Sequence, residues 1–175
     1  MSFTFTVETG AGLASANSYG SVSEMDDYAA VDVNYAASWA AFDSDEKEKR
    51  LAWASRVLDQ KTSWRGTKAV AESGLRWPRY GVYDRDGNLI ADNVVPVQVK
   101  QATFELAKFM TATDITTSQE ADFIKRIELD VVQIDFQDNT AQPNTPSMLN
   151  DILSGLGSFG DGGAGGSRFH RIVKV

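Results

Sequence analysis

The sequence predicts a mainly α (α+β) fold: a helical bundle domain with a β-hairpin, a short N-terminal strand and an extended C-terminal tail. Three observations carry this. Two long segments, 44–61 and 96–112, repeat apolar residues at helical spacing. Between them lies VYDRDGNLI, a run of β-formers on either side of an Asp-Gly pair. From Gly155 to Ser167 the chain gathers seven of its 14 glycines, a composition suited to a flexible tether. Two regions follow, a helical domain over residues 1–154 and a Gly-rich tether with a terminal segment over 155–175.

Taken in order, Phe3, Phe5 and Val7 alternate with Thr4, Thr6 and Glu8, the period of a strand with one buried face. Gly10, Gly12, Asn17 and Ser18 break that pattern. Ser21 and Glu24 have the spacing of a capping box, so a helix is expected from about Val22 to about Asn34, with Val22, Met25, Tyr28 and Ala29 as its apolar stripe. Asp43 with Glu46 is a second start signal, and Leu51, Ala54, Val57 and Leu58 then mark a helix from Ser44 to Lys61. Glycines and a proline punctuate Thr62 to Asn93, where Asp86 and Gly87 take the positive-φ positions of the hairpin turn. Pro96 suits a first helical turn, and Val99, Ala102, Leu106, Phe109 and Met110 supply the apolar face behind it. Residues Phe123 to Phe136 are rich in Ile and Val, with a change of parity that places a bulge or turn near Asp130. After Pro143 and Pro146, SMLNDILSGL forms a short amphipathic helix that closes the domain.

Composition narrows the chemistry. With no cysteine, a disulfide framework, a thiolate zinc site and a cysteine nucleophile are all excluded. The start, MSFTFTVETG, has no basic region followed by an apolar run, and no stretch reaches the roughly 20 apolar residues that span a bilayer, so neither export nor a membrane partner is expected. The formal net charge of -7 opposes binding to phosphate backbones. That charge is uneven, however. Residues 1–50 carry 3 basic and 9 acidic side chains, 51–113 carry 9 and 6, and 114–175 carry 5 and 9. Only the middle is basic.

Within that middle, Lys61, Arg65, Lys68, Arg76, Arg79 and Arg85 interleave with Trp64, Trp77, Tyr80 and Tyr83. Such a pattern suits single-stranded nucleic acid, whose bases stack on the rings while cations follow the backbone. It is also met by core tryptophans with arginines that are solvated or paired to a neighbouring subunit, and the acidic total favours this second reading. Asp84, Asp86 and Asn88 stand at alternate positions around Gly87, yet Leu89, Ile90 and Ala91 follow where a calcium loop needs further oxygen ligands, so a hairpin turn is preferred to a metal site. The single histidine, His170, lies beyond the glycines, where nothing holds it against a nucleophile and a carboxylate. No enzyme site and no cofactor site is read.

Along the chain stand FTVETGAGLASANSYGSVSEMDDYAA, LAWASRVLDQK followed by Trp64, Arg65 and Gly66, then LRWPRYGVYDRDGNLI, and VVPVQVKQATFELAKFM. In this order these pieces resemble a family, the head-to-tail connector or adaptor proteins of tailed phages, also labelled DnaT-like single-stranded DNA-binding proteins. The resemblance implies a virion protein assembled in the host cytoplasm, in which about twelve copies form a ring by head-to-tail contacts. The ring would join the portal protein to a distal tail or nozzle protein, and DNA would pass through its channel without specific binding. The alternative function is a single-stranded DNA-binding module of the replication or primosomal type.

On the connector reading, Arg65, Arg76, Arg79 and Asp86 are expected to meet a neighbouring subunit or the tail. The terminal RFHRIVKV (Arg168, Phe169, His170, Arg171, Ile172, Val173, Lys174 and Val175) is expected to bind the portal. Its β-forming apolar side chains have no core of their own and suit docking on a strand edge or groove. From Gly155 the chain could extend at most ~70 Å to reach such a partner.

Overall fold

The Ser21–Glu24 pair does start a helix. In α1 (Val22–Ala30) the Ser21 hydroxyl accepts from Glu24 N–H, and the Glu24 carboxylate accepts from Ser21 N–H at 2.8 Å. The computed structural model of the chain describes residues 3–112 and 147–160. Helix α1 stops short of Asn34. Beyond Ala30, the Asp32 carboxylate accepts from Asn34 N–H and pairs with Lys108, which fixes a turn in place of further helix. A five-residue helix, α2 (Ala36–Ala40), follows. It is anchored by Trp39, which is buried and donates its indole N–H to Asp26 at 2.7 Å.

Helix α3 (Ser44–Lys61) has the expected bounds, because the Asp43 carboxylate caps Glu46 N–H at 2.8 Å. Its Leu51, Ala54, Val57 and Leu58 are buried. Helix α4 (Val97–Ala112) lies along α3, and α5 (Ser147–Ile152) packs against α4. Val99, Ala102, Leu106, Leu149 and Leu153 join the α3 residues in one core. The fold is mainly α, with small antiparallel β elements. The Ile and Val run 123–136 lies outside the described residues, as do residues 161–175.

Two of the β elements place the surface of interest. Strand β1 (Thr62–Trp64) continues directly from α3 and pairs with β4 (Gly157–Phe159), Thr62 opposite Phe159 and Trp64 opposite Gly157. The Asn150 side chain brackets β4, accepting from Phe159 N–H and donating to Phe159 C=O. Residues 155–159 therefore belong to the packed domain, with Leu156 and Phe159 in its core. The tether expected from Gly155 is corrected at its start: glycine content alone hid two buried apolar side chains. Strand β2 (Thr67–Lys68) pairs with β3 (Arg79–Tyr80).

The N-terminal segment is extended but forms a single bridge, Val7 with Ser18, in place of a ladder. Phe3 is exposed, whereas Glu8 is buried and accepts N–H from Gly10, Gly12 and Leu13 at 2.8–2.9 Å. The alternation had placed Glu8 on the solvent face. Three charge-assisted hydrogen bonds offset its desolvation and tie the following loop together.

Candidate nucleic-acid interface

The basic stretch folds around one buried side chain. Arg79 is only 8% exposed, and its guanidinium donates to Arg65 C=O at 2.6 Å, Gly66 C=O at 2.7 Å and Arg76 C=O at 3.1 Å. Burial lowers its pKa below that of a free arginine, yet a guanidinium stays protonated, and its planar fork can serve three carbonyls at once. Arg79 thus draws the backbones of Arg65 and Arg76 together. Glycine at 66 is required here: its φ is +68°, and a Cβ would lie 2.1 Å from Tyr80 C=O.

The other members of the stretch divide between core and surface. Trp77 is fully buried, and Trp64 packs edge-on against it with ring centroids 5.9 Å apart. The Lys68 ammonium donates to Ala71 C=O and Ser73 C=O. Lys61, Arg65, Arg76 and Arg85 stay exposed, as do the rings of Tyr80 and Tyr83, about half accessible at 50% and 55%. The peptide between Trp77 and Pro78 is cis.

Beneath this surface sits a polar node. The Tyr19 hydroxyl donates to Asp59 Oδ1 at 2.6 Å and accepts from Arg76 N–H and Trp77 N–H at 3.0 and 3.2 Å. Asp59 also accepts from Arg76 N–H at 2.9 Å and from the Trp64 indole at 3.2 Å. Burial outweighs these donors and pushes the Asp59 carboxyl up to about 6. Burial, then the Asp59 charge, raises the Tyr19 hydroxyl well above its ordinary value. An open pocket of about 290 Å³ lies over the node, lined by Asp59, Gln60, Thr62, Trp64, Arg76 and Arg79.

Next along the chain is the hairpin. Tyr83 and Leu89 form its bridge, and Gly87 N–H donates to Asp84 C=O. The loop therefore holds three residues, Arg85 to Gly87, closed by Gly87 at φ +85°, instead of a two-residue Asp-Gly turn. Asp84 selects it by accepting N–H from Asp86 and Asn88 and the Asn88 side-chain amide.

Of the residues expected to make contacts, Arg65 and Arg76 are exposed, and their main-chain carbonyls share the Arg79 guanidinium. Asp86 is exposed at the hairpin tip. Arg79 differs from them: it is buried, three of its five N–H donors are engaged on main-chain carbonyls, and it positions its neighbours. Arg168 to Val175 lie outside the described residues. Sequence reasoning missed Tyr19 and Asp59. Asp59 carried one signal, a carboxylate near the C-terminal end of a helix, where the dipole disfavours negative charge.

Against known proteins, a family model described as "Putative DnaT-like ssDNA binding protein" matches residues 3–175, and the chain belongs to that family. No curated protein and no solved structure matches it.

Proposed function

From this membership, and from the surface around Arg79, we propose that the chain binds single-stranded DNA. Lys61, Arg65 and Arg76 meet phosphates, while Tyr80 and Tyr83 offer their rings to bases. One observation carries the reading. A buried arginine ties together the backbones of Arg65 and Arg76 and is followed by Tyr80, and all three of those side chains are exposed. The net charge of -7 does not forbid this. At physiological ionic strength charges are screened beyond about 8 Å, so a local cluster governs contact more than the distant total. The reading also departs from a DNA that merely slides past, since the family description names single-stranded DNA as a ligand. It assigns no catalytic residue and no cofactor.

The test is fluorescence anisotropy of a labelled single strand across a salt series. Three phosphate contacts give a slope of log K against log salt near −2, at about 0.7 per contact. Changing Arg65 and Arg76 together to Glu should abolish binding at moderate salt. No binding by the unaltered protein even at ~20 mM salt would overturn the reading.

A second reading, the ring-forming head-to-tail adaptor of a virion, is supported by the order of motifs noted above and by apolar side chains left open at Val31, Val33, Val94 and Val97. On it, the exposed Arg65, Arg76 and Asp86 face a neighbouring subunit or the tail, and Arg168 to Val175 reach the portal. Its test is co-sedimentation with portal-bearing particles. Removing residues 168–175 should abolish attachment while leaving the folded domain intact, and normal attachment of the shortened protein would count against the anchor.

A further inference from the structure

The chain has four tryptophans, and they divide unequally. Trp39 and Trp77 are core, Trp64 leans on Trp77, and Trp53 is 43% exposed on α3. Helical spacing puts Lys49, Trp53, Arg56 and Gln60 on one stripe, three or four residues apart. The Arg56 guanidinium carbon lies 5.5 Å from the Trp53 ring centre. Acidic residues on this stripe are confined to the first turn, at Asp45 and Glu46, and Asp45 is paired with Lys49. From Lys49 onward the stripe has no carboxylate. Its far end, Gln60, is a wall of the pocket that Trp64 and Arg76 also line. Trp53 stands seven residues before it, roughly 10 Å along the axis.

We infer that this stripe of α3 is a second segment of the single-strand track, with Trp53 as its stacking residue and Arg56 as its phosphate contact. The inference rests on the DNA-binding reading and extends it to residues outside the basic stretch. Nucleic acid fits this face better than a second copy of the chain does. Subunit interfaces enrich Trp and Arg but deplete Lys, and here the ring stands beside Arg56 with Lys49 one turn before it on the same stripe. A ring flanked by cations is what a base and its phosphate require.

The experiment compares single strands of about 4 and about 12 nucleotides, short enough to occupy the Arg76 surface alone and long enough to reach Trp53 as well. Trp53→Ala should lose about tenfold in affinity for the long strand and nothing for the short one, and Trp53→Tyr should restore most of the loss. Cooperative thermal unfolding of both variants checks the fold, and alanine at an exposed helical site favours it. Equal affinity of Trp53→Ala and the unaltered protein for the long strand overturns the inference and leaves the DNA-binding reading standing. Equal losses on both strands overturn it too, because Trp53 then acts through the fold. A change in sedimentation coefficient on Trp53→Ala with unchanged DNA affinity assigns the face to subunit contact and refutes the track. If the unaltered protein binds neither strand, the function itself fails, an outcome distinct from the other three.

Discussion

Titrating Asp59 tests the polar node directly. Its carboxyl is held near 6 by burial, against about 3.9 in an unfolded chain. For an acid raised in this way, the folded state binds the proton more tightly than the unfolded one. Stability from this group is therefore fully present below about pH 4 and is lost as pH rises to about 6. A shift of about two units corresponds to roughly 2–3 kcal/mol, the lower figure allowing for the part of Asp59 that solvent reaches. Other carboxylates act in a different window. Asp32, held low by Lys108, and Asp84, held low by Asn88, lose stability only as pH falls below the ordinary carboxylate range. Urea unfolding between pH 4 and 7 should show a decline over the upper window. Asp59→Asn should flatten it, since the amide does not titrate, while lowering stability at pH 4 by misplacing an N–H₂ among donors. If the Asn variant kept the same decline between pH 4 and 6, the burial argument for Asp59 would be wrong.

Three further outcomes follow from individual contacts. Arg79→Met should cost about 3–5 kcal/mol in urea unfolding, because three carbonyls lose a charged donor in a buried place, and Arg79→Lys should recover only part of it, lacking the planar fork. Gly66→Ala should cost about 3 kcal/mol, since the left-handed φ and the contact with Tyr80 C=O act together. Ser21→Ala should lower the thermal midpoint modestly, about 1 kcal/mol, by opening the cap of α1.

Where local chemistry decides the structure, the sequence is readable. The cap at Asp43 and the apolar stripe behind it define α3 at both ends, and Pro96 announces α4, because caps and helical periods act within a turn or two. Elements decided by distant contacts were opaque. Five residues of α2 are too few for a period, and Trp39 holds them through Asp26, on another helix. Glu8 looked like the solvent side of a strand until its three backbone donors were in place. The six cations from Lys61 to Arg85 are alike in one dimension, and only closure of β2 on β3 selects Arg79 for burial and leaves Arg65 and Arg76 outside. Likewise four tryptophans give no sign of which is exposed. Trp53 sits inside a helix whose period is clear, but the period marks the buried side and is silent on what the open side is for.

The surface around Arg79 also limits how strongly one copy can act. Three phosphate contacts confer little affinity at physiological salt, because each counterion release is weakened as salt rises. On the proposed function, stacking on Tyr80 and Tyr83 would add roughly 1–3 kcal/mol per base, which would still leave a single domain with a weak grip. Several copies on one strand behave differently. Once the first is bound, each neighbouring site meets the strand at a high effective concentration, and the combined grip can exceed that of one site by 10²–10⁴. Head-to-tail association of the copies would set that spacing without new contacts to DNA. Assembly and single-strand binding are thus physically compatible in one chain. The sign of their coupling is measurable: if copies join along the strand, affinity per site rises with strand length beyond about 12 nucleotides, and if subunit contacts occupy Arg65 and Arg76, it falls as the protein associates.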